Sequence, residues 1–300
     1  MYTTQIFLLC LVFVGVIAAK THIMDEYARS SMTNLVLCVF LPCNILSAFF
    51  GTSRSQLPSL GIMLVISIGI IMLCFLLSRY VLYRGVVNPE QKKVLIYGTI
   101  VSNAVFLGNP VVESIYGLGG LTYVAAYLVP LRISVWTLGL AVFTGGKGSL
   151  KKVIFHPGLI ATYIGFLIMI TGFTPPALVS RLVFSLGNCT TPLSLIVIGG
   201  ILASVDPRKI FTKLTVYFAF IRLVLVPFLV MGILFITRPA PMVSGISVIL
   251  SGMPAGVTTS LLAGKFGADK ELSSKIIFMS TLLSLITIPF LVWLLQKALY

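Results

Sequence analysis

Charge is what this sequence has least of. Only 9% of its 300 residues are Asp, Glu, Lys or Arg, and seven in all are acidic. A soluble domain carries about 25% charged residues, so this chain lacks the polar side chains to coat a water-soluble globule. Disorder needs low hydrophobicity and high charge; here 58% of residues are hydrophobic and mean hydropathy is +1.10. The two histidines, His22 and His156, stand far apart and make no metal site. The five cysteines, Cys10, Cys38, Cys43, Cys74 and Cys189, form no CxxC pair and fall in apolar stretches. They read as small apolar residues, not as disulfides or ligands. There is no HExxH motif and no Asp within any apolar run, so intramembrane protease chemistry lacks its residues. The stretch Gly145 to Ser149 (GGKGS) lacks the spacing of a phosphate loop. Nothing here reads as an enzyme or a cofactor site.

What is present is apolar sequence in long runs. Ten segments are apolar enough to cross about 30 Å of hydrocarbon as helices: 4–19, 31–50, 58–78, 93–116, 121–144, 153–172, 177–204, 212–237, 241–264 and 275–297. They are continuously apolar, as in LGIMLVISIGIIMLCFLL, rather than alternating as barrel strands do. The sequence therefore predicts an all-α polytopic membrane protein with no separate soluble domain. No Lys or Arg precedes the first run, which reads as a retained span rather than a signal peptide.

The net charge of +14 would suggest a nucleic-acid partner on a soluble protein. Sorted by loop, the basic residues instead divide by side. Lys20, Arg29, Arg79, Arg84, Lys92, Lys93, Lys147, Lys151, Lys152, Arg208, Lys209, Lys213, Lys265, Lys270 and Lys275 share one side. Only Arg54, Arg181, Arg238 and Lys297 lie on the other. Positive loops stay in the cytoplasm, so the expectation is a multi-pass cell-membrane protein with both termini outside and no nucleic-acid partner.

The two halves are punctuated alike. Pro42 in the second span matches Pro192 in the seventh, 150 residues on, and Gly108-Asn109-Pro110 in the fourth matches Gly252-Met253-Pro254 in the ninth, 144 on. Each half, 1–148 and 149–300, is then five helices with its second and fourth interrupted. Five is odd, so the second half enters the membrane inverted, the plan of many secondary transporters. Asn109-Pro110 reads as an N-cap and first position of a new half-helix, and Thr191-Pro192 likewise. Met253 is a poor cap, so Thr258, Thr259 and Ser260 are expected to serve in the ninth span. Two half-helix N-termini would face the midplane and suit an anion.

Two arginines, Arg132 and Arg222, sit in mid-span, where a charge is costly and faces the bundle interior or a cavity. Each reads either as an anion-binding guanidinium or as a structural partner of Glu113, the one acidic residue inside a span. Glu113 itself is an Arg partner, a proton carrier or a cation ligand. Among the span amides, Asn103 and Asn109 flank the break and are site candidates, whereas Asn44 and Asn188 read as structural. No metal centre is expected, and coupling is expected to be to Na+ or H+.

At these residues a resemblance enters. SNAVFLGNPVVESIYGLGGLTYVAAYLVPLRISVWTLG from Ser102, LGNCTTPLSLIVIGGIL and SGMPAGVTTSLLAGKFGADKELSSKIIFMSTLLSLITIPF resemble the auxin efflux carrier family, whose bacterial members are described as permeases for malate, malonate or similar carboxylates. The resemblance covers both halves. It implies ten helices in two inverted five-helix repeats, with the fourth and ninth crossing at Pro110 and Pro254. It also implies a scaffold of the first, second, sixth and seventh helices that forms a homodimer, and a moving body made from the rest. Asn109 departs from the hydrophobic residue common between that Gly and Pro, and the long cytoplasmic loop of plant members is missing. The site expected is Asn103, Asn109, Pro110, Arg132, Arg222, Pro254, Thr258 and Thr259, with Glu113 coupling, for a small organic anion such as a mono- or dicarboxylate. A bile-acid-type sodium symporter shares the ten-helix plan and is the nearest competitor; a non-transporting sensor on the same helices is the other.

Overall fold

The computed structural model describes residues 2–50, 54–145, 157–203 and 210–299. His156, the stretch from Gly146 to Ser149, and Lys147, Lys151, Lys152, Arg208 and Lys209 lie outside them. The described residues are helical apart from turns and one isolated antiparallel bridge, Ser102 to Ala255. In chain order the helices are α1 (Tyr2–Lys20), α2 (Glu26–Phe49), α3 (Leu57–Leu82), α4 (Pro89–Ile100), α5 (Ala104–Thr144), α6 (Pro157–Thr171), α7 (Ala177–Asn188), α8 (Thr190–Ala203), α9 (Lys213–Thr237), α10 (Pro241–Ser251), α11 (Thr258–Lys265) and α12 (Lys270–Leu299).

Among the described residues six stretches are long and apolar enough to cross a membrane: α2, α3, α5, Ala177–Gly200, α9 and Lys270–Lys297. Pro157–Thr171 and Pro241–Ser251 are apolar but shorter. Fifteen residues of α-helix rise only about 22 Å, short of the ~30 Å core. Every expected segment carries helix, but the count of ten spans rests on apolar composition rather than on helix length.

The scarce acidic residues have a local job. Asp25 caps α2, its carboxylate accepting the Ala28 N–H at 2.7 Å, and Asp269 caps α12 through the Leu272 N–H at 2.8 Å. Glu26, Glu90 and Glu271 sit in first turns, where the helix dipole favours them, and each pairs with a basic residue on its own helix.

Three of the prolines inside helices are prepared for. Widened i→i+5 turns at Val36–Phe40, Ala104–Gly108 and Ile221–Leu225 each end two residues before a proline, Pro42, Pro110 and Pro227. Proline has no N–H and its ring meets the carbonyl one turn back; a wide turn shifts that carbonyl ladder and relieves both problems. This is why Pro110 does not open a new half-helix. The helix has already resumed at Ala104, and Asn109 is not its cap.

The chain divides into two compact units, each drawn from both halves of the sequence: Met1–Met63, Val105–Val129 and Lys151–Ser204, against Leu64–Ala104, Pro130–Leu150 and Val205–Tyr300. In the first unit α1 and α8 meet backbone to backbone. A Cβ on Gly15 would strike the Ile196 carbonyl, and one on Gly199 the Val12 carbonyl, the small-residue packing that membrane helices use. The Phe49 ring of α2 packs on Phe166 of α6 at 5.1 Å, and the Thr122 hydroxyl donates to the Ala48 carbonyl at 2.7 Å. Gly117 turns the chain sharply within α5 at φ 65°, ψ −162°, a conformation open to glycine. In the second unit α12 lies against α4, α9, α10 and α11. Buried Tyr83 joins Thr99 of α4 at 2.8 Å.

A crossing of two helix breaks

The candidate site grows out of two interruptions in the second unit. α4 ends at Ile100 and helix resumes at Ala104; α10 ends at Ser251 and helix resumes at Thr258. In lipid the freed backbone groups need partners, and the breaks supply them to each other. The Asn103 N–H donates to the Pro254 carbonyl at 2.7 Å, and the Gly256 N–H donates to the Val101 carbonyl at 2.9 Å. The Ala255 N–H is taken by the Ser280 hydroxyl of α12 at 3.2 Å. The two broken helices therefore cross through Val101–Asn103 and Pro254–Gly256. The ninth-span break falls where the sequence put it. The fourth-span break falls seven residues before Pro110, because an extended partner strand, not the proline, decides where helix is lost.

The expected capping at α11 is also corrected. Its N-terminal residue Val257 carries no side-chain cap. The Thr259 N–H donates to the Gly256 carbonyl at 3.0 Å and the Ser260 N–H to the Val257 carbonyl at 3.2 Å. The first turn thus satisfies its own amides, which weakens the case for helix N–H groups as the anion donors. Thr258 accepts instead from the Tyr97 hydroxyl at 3.0 Å, and the Ser260 hydroxyl sits 3.3 Å from that of Ser274. Thr259 is fully buried with its hydroxyl oxygen unpartnered among the described residues. Asn103 is buried within the crossing.

The two mid-span arginines have different surroundings. Arg222, 2% exposed, donates from Nη1 to the Ser251 carbonyl at 2.8 Å. Ser251 is the last residue of α10, so the guanidinium meets a carbonyl that the helix end leaves free at the negative pole of its dipole. Arg132, 6% exposed, has no partner for Nε, Nη1 or Nη2 among the described residues.

Packing ties the stretch of α5 that follows Arg132 to α4 and to the end of α11. Phe143 stacks on Phe266, just past α11, at 6.3 Å and on Tyr97 at 5.2 Å. Four residues back along α5, Gly139 lies so close to Tyr97 that a Cβ would come within 2.6 Å of the ring. Tyr97 in turn reaches Thr258. Going back along α5 from Phe143 therefore runs from the far end of α11 toward the break. Arg132 lies seven residues further back along α5 than Gly139.

Glu113, Asn109 and Pro110 belong to the first unit. Glu113 accepts from the Thr191 hydroxyl at 2.6 Å, so the structural role expected for an arginine falls to a threonine, and Thr191 is not a cap. Asn109 is 2% exposed with Oδ1 unpartnered among the described residues. Asn44 lies beside α7, its amide 3.5 Å from the Gly187 carbonyl. Sequence reasoning missed Tyr97, Ser251 and Ser280. Tyr97 stands one turn before the break, and only packing shows what its hydroxyl reaches. Among the described residues no group of three His, Cys, Asp or Glu side chains is placed to hold a metal ion.

Comparison with known proteins places this geometry in context. The family described as Membrane transport protein matches residues 1–153 and 146–292. An "Uncharacterized transporter" of Methanothermobacter thermautotrophicus is 26% identical over 294 residues, 95% of each chain. A protein of Rhizobium meliloti named "Putative malonate transporter" is 27% identical over 151 residues, 50% of this chain and 47% of that one.

Proposed function

The chain belongs to the membrane transport protein family, the auxin efflux carrier family of the resemblance, and from that premise we propose that it is a secondary transporter for small organic anions, mono- or dicarboxylates such as malate or malonate. One observation carries the anionic substrate: Arg132 is buried, in the same compact unit as the crossing, with all three guanidinium nitrogens unpartnered among the described residues. An uncompensated buried charge costs several kcal/mol. A carboxylate arriving from water would offset that cost through a bidentate pair. Thr258, Thr259 and Asn103 line the crossing as neutral hydrogen-bonding groups. The name of the Rhizobium relative is in keeping with such a substrate.

The architecture proposed is ten membrane helices in two inverted repeats, 1–148 and 149–300, with both termini outside the cell membrane. Substrate is exchanged between the two sides by alternating access. The helices α1, α2 and α6–α8 gather in one unit and α4 and α9–α12 in the other, which supports a mechanism of one body moving against another. The first unit is the scaffold in this reading and the surface through which a homodimer forms. Arg222 is assigned to hold α10 at the break rather than to touch substrate.

The test is uptake and counterflow in proteoliposomes with labelled malate, malonate and a monocarboxylate panel, with and without Na+ and H+ gradients. Wild type is expected to give saturable carboxylate flux, lost in Arg132→Ala. Absence of flux for every anion in monodisperse protein overturns the assignment.

A further inference from the structure

The first unit contains a second cluster of polar atoms that the carboxylate site does not use. Gly187, Thr190, Thr191 and Ser194 fall at helical spacing on one face across the α7–α8 junction. Ile196 and Gly199, which meet α1, fall on the other. At one end of the face Asn44 of α2 presses on Gly187: a Cβ there would lie 3.0 Å from the Asn44 Cα. Beside it Thr191 donates to the Glu113 carboxylate at 2.6 Å. Three oxygens on and against this face are buried without any partner among the described residues: Thr190 Oγ1, Ser194 Oγ and Asn44 Oδ1. Their residues are at most 2% exposed. Buried polar oxygens in protein are nearly always satisfied; two of these lie on the face, the third lies against it from α2, and Thr191 on the same face holds the Glu113 carboxylate.

We propose that this face is a binding site for a monovalent cation, sodium, held by Glu113 with Thr190, Ser194 and Asn44. The donors are all oxygen, the ligand type of hard cations. A single carboxylate among neutral hydroxyl and amide oxygens balances one positive charge, not two. Thr191 fixes the orientation of the carboxylate. As the coupling site of a carboxylate symporter it rests on the transporter reading; as a cation site it stands on the first unit alone.

The experiment is equilibrium binding of labelled sodium to the purified full-length protein in nanodiscs, without carboxylate and at constant ionic strength against choline, with potassium as competitor. Wild type is expected to bind sodium saturably. Glu113→Gln, Ser194→Ala and the near-isosteric Thr190→Val are each expected to weaken it about tenfold or more. Monodispersity and an unchanged melting temperature in choline confirm that each variant is folded. Wild type without saturable sodium binding overturns the proposal, as do well-folded Glu113→Gln and Ser194→Ala with wild-type affinity. Sodium binding with no carboxylate flux overturns the substrate assignment alone, and carboxylate flux with no sodium binding overturns the cation site alone.

Discussion

Arg132 and Arg222 are the same residue type at the same kind of place, mid-helix and buried in one compact unit, yet one is spoken for and the other is not. Arg222 donates to the Ser251 carbonyl at the end of α10. Arg132 has no partner for any guanidinium nitrogen among the described residues. The difference teaches that a buried charge in an apolar bundle has two stable explanations. It either ties a broken helix together, as Arg222 does, or, as we propose for Arg132, meets a counter-charge carried by the substrate. Position in the sequence cannot separate them; the neighbouring backbone can.

The comparison breaks most visibly at position 132. Arg132→Ala is expected to weaken carboxylate binding about 30-fold to 1,000-fold, the effect of truncating one side of a buried charge pair. Its melting temperature without substrate should hold or rise, because an uncompensated charge has been removed. Substrate titration and a melting curve on the same preparation check both. Arg222→Ala should do the reverse. Leaving the Ser251 carbonyl without its charged donor is expected to cost about 2–3 kcal/mol, read as a lower melting temperature. Lysine sharpens the contrast: Arg222→Lys should recover part of the stability, since one donor and one charge suffice at a single carbonyl. Arg132→Lys should recover little carboxylate affinity, because a lysine cannot form the two-pronged pair.

Smaller effects are expected around the crossing. Tyr97→Phe removes the bond to Thr258 while keeping the ring against Phe143 and Gly139. It should cost about 1 kcal/mol and lower flux modestly at unchanged expression. Ser280→Ala leaves the Ala255 N–H without its acceptor. It should destabilise by about 1 kcal/mol and leave carboxylate affinity near wild type, which hydrogen exchange at Ala255 and substrate titration distinguish.

Much of this was legible in the chain. Apolar runs located helix in every expected segment, and Gly252 and Pro254 marked the ninth-span break correctly, since Gly252 ends α10 and Pro254 lies in the extended stretch. The fourth-span break was misplaced because proline was taken as the breaker. Pro110 sits in helix behind a widened turn, while Val101–Asn103, with no proline, is pulled into extended form by Pro254–Gly256. That pairing joins residues about 150 positions apart, and no local propensity encodes it. Glu113 stood out as the one acidic residue inside a span, but its partner Thr191 had been read as a cap. Tyr97 carried no signal at all: an apolar-looking aromatic in an apolar run becomes a positioning group only when a distant hydroxyl reaches it.

The most direct measurement is the melting temperature of wild type and Arg132→Ala titrated in parallel with malate, malonate and a monocarboxylate panel. A ligand that binds only the folded state raises stability with the logarithm of its concentration. A carboxylate that stabilises wild type progressively and leaves Arg132→Ala flat is the result expected of a guanidinium waiting for its counter-charge. Equal stabilisation of both proteins by the same carboxylate would contradict it.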